Sequence, residues 1–246
     1  AAQLIAFHTL MEPGCNIVAA KKLYGGSLNQ LAESFRKFGW ETRFVDADDP
    51  ENVRAAMDDK TRCVFVESLA NPGGVVTDIA AIADVAHDHG VPLIVDNTIA
   101  TPYLIRPLEH GADIVIHSAT KFLGGHGTTI GGIIVDGGKF AWSQNVEKFP
   151  GLTEPDPSYH GAVFTQAVGD GLAYIIKARV QLLRDLGASI SPQSAWQLIQ
   201  GIETLSLRIE RHVQNAQEIA EWLESRDDVA SVNYSGLPTS PWYAAA

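Results

Sequence analysis

An amine, a carboxylate and a pair of small hydroxyls stand where apolar runs of this sequence end. Lys121 closes the run His117-Ser118-Ala119-Thr120-Lys121, and the glycine-rich stretch Gly124-Gly125-His126-Gly127 follows it. Asp96 ends the run Pro92-Leu93-Ile94-Val95. An amine forms a Schiff base with an aldehyde, a carboxylate holds a pyridinium nitrogen protonated, and hydroxyls bind phosphate. The combination suits pyridoxal 5'-phosphate (PLP). A lone lysine is ordinarily a solvated surface charge. Ser118 and Thr120 before it and a glycine-rich turn after it favour chemistry instead, since a partly buried lysine shifts its pKa readily.

The other candidates divide in the same way. Asp is a common turn former and cap, but Asn97-Thr98-Ile99-Ala100-Thr101-Pro102 after Asp96 contains no strong helix start. A buried carboxylate needs a charged or hydrogen-bonding partner, and a pyridinium provides one. Thr98 either binds phosphate or orients Asp96; both stay open. Tyr24, in Lys22-Leu23-Tyr24-Gly25-Gly26-Ser27, sits beside glycines that allow close backbone approach. Its phenol suits stacking on an aromatic cofactor and acid–base work, although alone it reads as a loop aromatic. Gly124–Gly127 and Gly131-Gly132 fit neither nucleotide-phosphate spacing, and the apolar run Ile130–Val135 follows at once. The eight histidines form no metal constellation: His87 and His89 are two apart on a helix and diverge. His126 and His160 are placed near the site with packing roles favoured, and Trp40, Trp196 and Trp222 are read as core.

Positioning these residues requires strands that end together. The pattern predicts helices near 2–11, 27–38, 50–58 and 77–90, alternating with strands 16–20, 42–46, 63–67, 93–96, 113–117 and 129–135. Continuous apolar strands separated by helices mean a parallel sheet buried on both faces. Ligands in such sheets sit at the carboxyl ends of the strands, where Glu67, Asp96 and Ser118–Lys121 fall. Residues 140–172, rich in Gly, Pro and aromatics, read as a long excursion of the functional kind. Helices are expected at 173–186, 192–205 and 206–225, then a strand at Val229–Tyr234.

Composition bounds the rest. The chain has 246 residues, 18 Lys+Arg against 29 Asp+Glu and a net charge of −11, which argues against nucleic acid or an anionic membrane as partner. No apolar run approaches the roughly 20 residues that span a bilayer. Cys15 and Cys63 lack CxxC spacing and read as buried reduced thiols, which fits a cytoplasmic protein. The chain starts inside an apolar helical pattern at Ala1 and stops at Pro241-Trp242-Tyr243-Ala244-Ala245-Ala246, so we read it as a fragment cut at both ends.

Five stretches together carry a resemblance: Lys22–Ser27, Glu67-Ser68-Leu69-Ala70-Asn71-Pro72, Val95-Asp96-Asn97-Thr98, Ser118–Lys121 and Gly201–His212. Over nearly its whole length the chain resembles the Cys/Met-metabolism family of fold-type I PLP-dependent enzymes. The resemblance implies an α/β fold with a mostly parallel seven-stranded sheet and helices on both faces. It divides the chain into a cofactor-binding large domain, 1–204, and the start of a truncated C-terminal α/β domain, 205–246. It makes Lys121 the cofactor-bearing lysine and proton shuttle. Asp96 becomes the partner of the pyridine nitrogen, and Tyr24 the ring-stacking residue assisting proton transfer. Asn71 then faces the phenolic oxygen, Ser118 and Thr120 contact the phosphate, and Glu67 supports the site without doing chemistry. No metal is implied.

Residues 140–172 and Tyr174-Ile175-Ile176-Lys177-Ala178-Arg179 are more similar to the family's sulfhydrylases than to its shorter cystathionine synthases and lyases. The implied reaction is γ-replacement on O-acetyl-L-homoserine by sulfide, giving L-homocysteine and acetate, a step of methionine biosynthesis in a cytoplasmic homotetramer. Rivals are cystathionine γ-synthase, cystathionine or methionine γ-lyase, O-succinylhomoserine sulfhydrylase, a non-catalytic PLP-binding or assembly fragment, and a nucleotide-binding module. In the family, phosphate-binding residues precede Ala1, an N-terminal segment reaches a neighbouring subunit's phosphate, and a C-terminal arginine holds the substrate carboxylate. Lacking these, the isolated chain is expected to be inactive or nearly so.

Overall fold

The computed structural model describes residues 1–246. Its centre is one six-stranded sheet: β1 (Asn16–Ala20), β2 (Glu41–Val45), β3 (Thr61–Glu67), β4 (Leu93–Asp96), β5 (Ile114–Ser118) and β6 (Gly132–Asp136). The order is β2-β1-β3-β4-β5-β6, parallel except for β6, which runs antiparallel to β5. β1 is buried at every residue and β3 at all but Arg62, which is what strands covered on both faces require. The resemblance implied seven strands in this sheet and the structure has six; the separate strand expected at Val229–Tyr234, in the segment 205–246, does not form either. Val229–Tyr234 has strand-forming residues but no ladder partner, and it runs as irregular chain with Asn233 Nδ2 donating to Gly73 O at 3.0 Å. The segment 205–246 is therefore one helix and a coil, without a sheet of its own.

The helices are set by local chemistry. α1 (Ala2–His8) precedes β1; α2 (residues 25–38) ends at Gly39, whose φ of 77° lies in the left-handed region. α3 (Pro50–Ala56) has Pro at its first position and an Asp49 cap accepting Glu51 N. α4 (Ile79–Asp88) is capped by Asp78, which accepts Ala81 N at 3.0 Å. Crossovers are right-handed, so the connection from β1 out to β2 and the ones returning through β3 to β4 lie on opposite faces. α3 and α4 accordingly pack side by side. The strand order thus reverses between β1 and β3.

Residues 140–172 form no open excursion. Phe140, Trp142, Phe149, Leu152 and Phe164 are buried in the main core, and Trp142 stacks on Tyr174 with centroids 5.6 Å apart. Tyr174 belongs to α5 (residues 170–186) and donates its hydroxyl to Ala6 O at 3.2 Å, tying this segment to α1. α6 (Pro192–Glu203) and α7 (Leu205–Glu224) follow. Their small buried cluster, Leu198, Leu205 and Ile209, packs on Ala119 and Leu123 beside Lys121. Trp40 is core as expected, but Trp196 and Trp222 are exposed: α6 buries Leu198 and Gly201, and position 196 points away from that stripe.

Candidate active site

The β1/β3 reversal is the point at which an open parallel sheet leaves a crevice at its carboxyl end. Glu67, the last residue of β3, occupies it. Its carboxylate accepts Tyr24 N through Oε1 at 2.7 Å and Asn71 N through Oε2 at 2.9 Å. One buried side chain thus ties the loop after β1 to the loop after β3. Burial pushes the Glu67 carboxyl up to about 7; the two amides pull it back, and nearby Asp96 adds to the rise. The Tyr24 ring is half-exposed above Gly26, where a Cβ would stand 2.5 Å from Tyr24 Cε1, so the glycine is needed for the ring's position.

Asp96, in register with Glu67 across β3 and β4, ends the neighbouring strand. Every hydrogen bond its carboxylate accepts falls on Oδ1, from Thr98 N at 2.9 Å and from the Thr98 hydroxyl. Burial raises its pKa and the Thr98 bonds lower it. Thr98 also receives Ser118 N on Oγ1 at 2.8 Å. Thr98 thus bonds directly to the Asp96 carboxylate and to the strand end at Ser118. Asn97, fully buried, braces this turn: it accepts Ser68 Oγ at 2.6 Å and donates to Ile105 O at 2.9 Å.

Lys121 lies in the turn after β5. Its carbonyl receives Gly125 N at 2.8 Å, and Ala119 O receives Gly124 N at 2.8 Å. The Thr120 hydroxyl is placed between Gly131 N (3.0 Å) and Gly131 O (3.3 Å). Behind the strand, His117 is buried with Nδ1 unpartnered, and burial lowers its pKa to about 4. His126 Nδ1 lies 2.8 Å from Gly124 O. Neither His126 nor His160 lines the cavities described next.

Tyr24, Asn71, Asp96, Thr98, Ser118, Thr120 and Lys121 all line one cavity of about 680 Å³, with Glu67, Arg208 and His212 in its wall. A second cavity of about 750 Å³ shares Tyr24, Asp96, Ser118 and Thr120 and extends toward Gln3, Ser27 and Arg179. Arg208 and His212 are the wall residues that the sequence did not single out one by one; they sit inside the quoted Gly201–His212 stretch, but nothing in local spacing aims α7 at Lys121. Elsewhere, no group of three His, Cys, Asp or Glu is placed to hold a metal, both cysteines are free and buried, and no helix is long and apolar enough to cross a membrane.

A lysine, a carboxylate with one uncommitted oxygen, an aromatic face and hydroxyls meet around one cavity at the strand ends, the set of groups that a pyridoxal phosphate site requires. The whole chain, residues 1–246, matches the family described as Cys/Met metabolism PLP-dependent enzyme, and the chain belongs to that family. It is 53% identical over 252 residues to the O-acetyl-L-homoserine sulfhydrylase of Leptospira meyeri, covering 100% of this chain and 57% of that protein. It is 50% identical over 238 residues to the homocysteine/cysteine synthase of Saccharomyces cerevisiae, covering 96% of this chain and 53% of that one. A crystal structure from Campylobacter jejuni, described as an O-acetylhomoserine (thiol)-lyase bearing a pyridoxyl-lysine phosphate, superposes with a TM-score of 0.94 at 36% identity. It is matched over 99% of this chain and 60% of its own. The chain therefore spans a little over half the length of the relatives it matches.

Proposed function

We propose that residues 1–246 carry the cofactor-binding part of a PLP-dependent enzyme that replaces the γ-acetoxy group of O-acetyl-L-homoserine with sulfide, yielding L-homocysteine and acetate. The observation that supports it is the convergence of Lys121 and Asp96 on one cavity with Tyr24, Asn71, Ser118 and Thr120. The relatives' names supply the substrate.

The residues fit the cofactor chemically. Asp96 keeps Oδ2 free of intrachain bonds beside the cavity and is raised by burial, so a protonated ring nitrogen is the partner that would hold it as an anion. Bound here, PLP supplies an electron sink for negative charge developing beside the amino-acid carbon. The Lys121 amine holds the cofactor and then takes and returns protons at Cα and Cβ of the substrate. Tyr24 covers the ring face and assists that transfer; Asn71 faces the phenolic oxygen. Ser118 donates to the phosphate, and Thr120 does so by giving up its 3.3 Å bond to Gly131 O. Glu67 and Thr98 position Tyr24, Asn71 and Asp96. In this reading residues 1–204 form the large domain, 205–246 open a second one, and the enzyme works as a cytoplasmic homotetramer.

The test is the natural protein that contains these residues, assayed for homocysteine from O-acetylhomoserine and sulfide, with O-succinylhomoserine, cysteine and methionine as competing substrates. Homocysteine formed from the acetyl ester and lost in Lys121→Ala is the expected result. Turnover confined to another substrate moves the protein to a neighbouring activity, and activity retained in Lys121→Ala sinks the reading.

A further inference from the structure

Arg208, on α7, has no carboxylate partner. Each hydrogen bond it donates goes to a neutral oxygen: Nη1 to Phe122 O at 2.7 Å, Nη2 to Leu123 O at 3.3 Å and to Gly201 O at 2.6 Å, Nε to Thr204 Oγ1 at 3.2 Å. Gly201 and Thr204 lie at the end of α6, and a cation satisfying terminal carbonyls there is ordinary helix capping. Phe122 and Leu123 are different. They are the two residues after Lys121, more than eighty positions away in sequence, and helix capping gives no reason for a guanidinium to reach them.

Three glycines make the contact sterically feasible. A Cβ on Gly125 would stand 2.7 Å from Arg208 Cζ, one on Gly124 2.9 Å from Leu198 Cδ2, and one on Gly201 would overlap Gly124 O. The glycine-rich turn therefore serves close approach of α6 and α7 to the chain that carries Lys121. The planar fork of arginine suits several carbonyls at once; a lysine, a point donor on a flexible stem, does not span them.

We propose that Arg208 is a positioning residue for the cofactor lysine: by holding the Phe122 and Leu123 carbonyls against α7, it fixes where the Lys121 amine stands in the cavity. The inference rests on the proposed role of Lys121. It also makes the first helix of the segment 205–246 part of the site's geometry.

The experiment compares wild type, Arg208→Gln and Arg208→Lys in the natural protein. In the cofactor-free form, amide hydrogen exchange is read over residues 119–127 and over β4. With PLP, borohydride trapping is mapped to the lysine, and the pH midpoint of the visible band and kcat are measured. In Arg208→Gln the Gly124 and Gly125 amides exchange at least ~10-fold faster while β4 is unchanged, the midpoint moves, and kcat falls by up to ~100-fold, the scale of an ångström's misplacement. Arg208→Lys keeps the charge and the fold but recovers only part of each; it carries the test if the glutamine variant does not fold. A folded variant with wild-type exchange over 119–127, or with wild-type midpoint and kcat, overturns the inference alone. Wild type that traps no cofactor on Lys121 overturns the proposed function and this inference with it.

Discussion

Replacing Glu67 with Gln should make stability respond to pH in a way the structure fixes in sign. The Glu67 carboxyl titrates near 7 in the fold, against 4.5 as its ordinary value, chiefly because burial disfavours the anion. Between these two values the unfolded chain releases a proton that the folded chain keeps. Stability is thus fully present below pH 4.5 and is lost as pH rises through about 7. At about 1.4 kcal/mol per pH unit the loss is about 3 kcal/mol. The amide introduced by Glu67→Gln is neutral throughout, so near pH 4.5 the variant is the less stable by the cost of one backbone N–H left without its acceptor, about 1–3 kcal/mol. Between pH 4.5 and pH 8 the difference shifts in the variant's favour by about 3 kcal/mol. Urea unfolding of both proteins between pH 4.5 and 8 reads this as a gap that moves toward the variant as pH rises. The variant should nonetheless bind PLP more weakly, because an amide cannot accept from both Tyr24 N and Asn71 N. A gap that stays constant across the window would refute the argument, since Glu67 would then be ionised in the fold throughout.

Other outcomes follow from the same geometry. His117, buried and lowered to about 4, is neutral in the fold, so its contribution is present above pH 6.5 and lost as pH falls through 4. Relative to His117→Gln, wild type should lose about 3 kcal/mol between pH 7 and pH 4 in the same urea experiment. Trp142→Ala empties a site only 1% exposed between Phe140, Phe149 and Tyr174 and should cost about 3–5 kcal/mol, read from the unfolding midpoint. Asp96→Asn removes the anion opposite the ring nitrogen; PLP affinity and turnover should fall by at least ~10-fold, as loss of a buried charge partner does, while the fold, followed by circular dichroism, stays intact. Unchanged PLP affinity would remove Asp96 from its proposed role.

The sheet was legible because strands covered on both faces must be apolar throughout, and runs such as Asn16–Ala20 and Leu93–Asp96 leave no alternative of that length. The site was legible for a related reason. In a parallel sheet the polar residue that ends each apolar run necessarily faces the same end, so Glu67, Asp96 and Ser118 could be grouped from the sequence alone. Pairing was not legible. Val229–Tyr234 has the side chains of a strand, but a strand exists only with a neighbour to bond, and no other strand pairs with it; Asn233 reaches Gly73 O by its side chain instead. The exposure of Trp196 and Trp222 was missed because residue type was given more weight than the helical stripe that Leu198 and Gly201 set on α6. Arg208 was hidden in another way. On a charged helix an arginine reads as solvated, and its carbonyl partners at Phe122 and Leu123 are invisible to any local pattern.

The two carboxylates at the strand ends show why position alone does not assign a role. Glu67 and Asp96 are register partners on adjacent parallel strands, both raised by burial and both lining the same cavity. What separates them is how their oxygens are used. Glu67 uses each of its two oxygens to hold a backbone amide, one from each of two loops. Asp96 places both of its bonds on a single oxygen and leaves the other beside the cavity. A cationic ring nitrogen would therefore find an unused oxygen at Asp96, and its charge would lower the cost of keeping Asp96 ionised. Glu67 keeps its proton up to about pH 7 and holds the Tyr24 and Asn71 amides in place. Burial raises both carboxyls, and the hydrogen-bond inventory of their oxygens is what separates the binding role proposed for Asp96 from the positioning role proposed for Glu67.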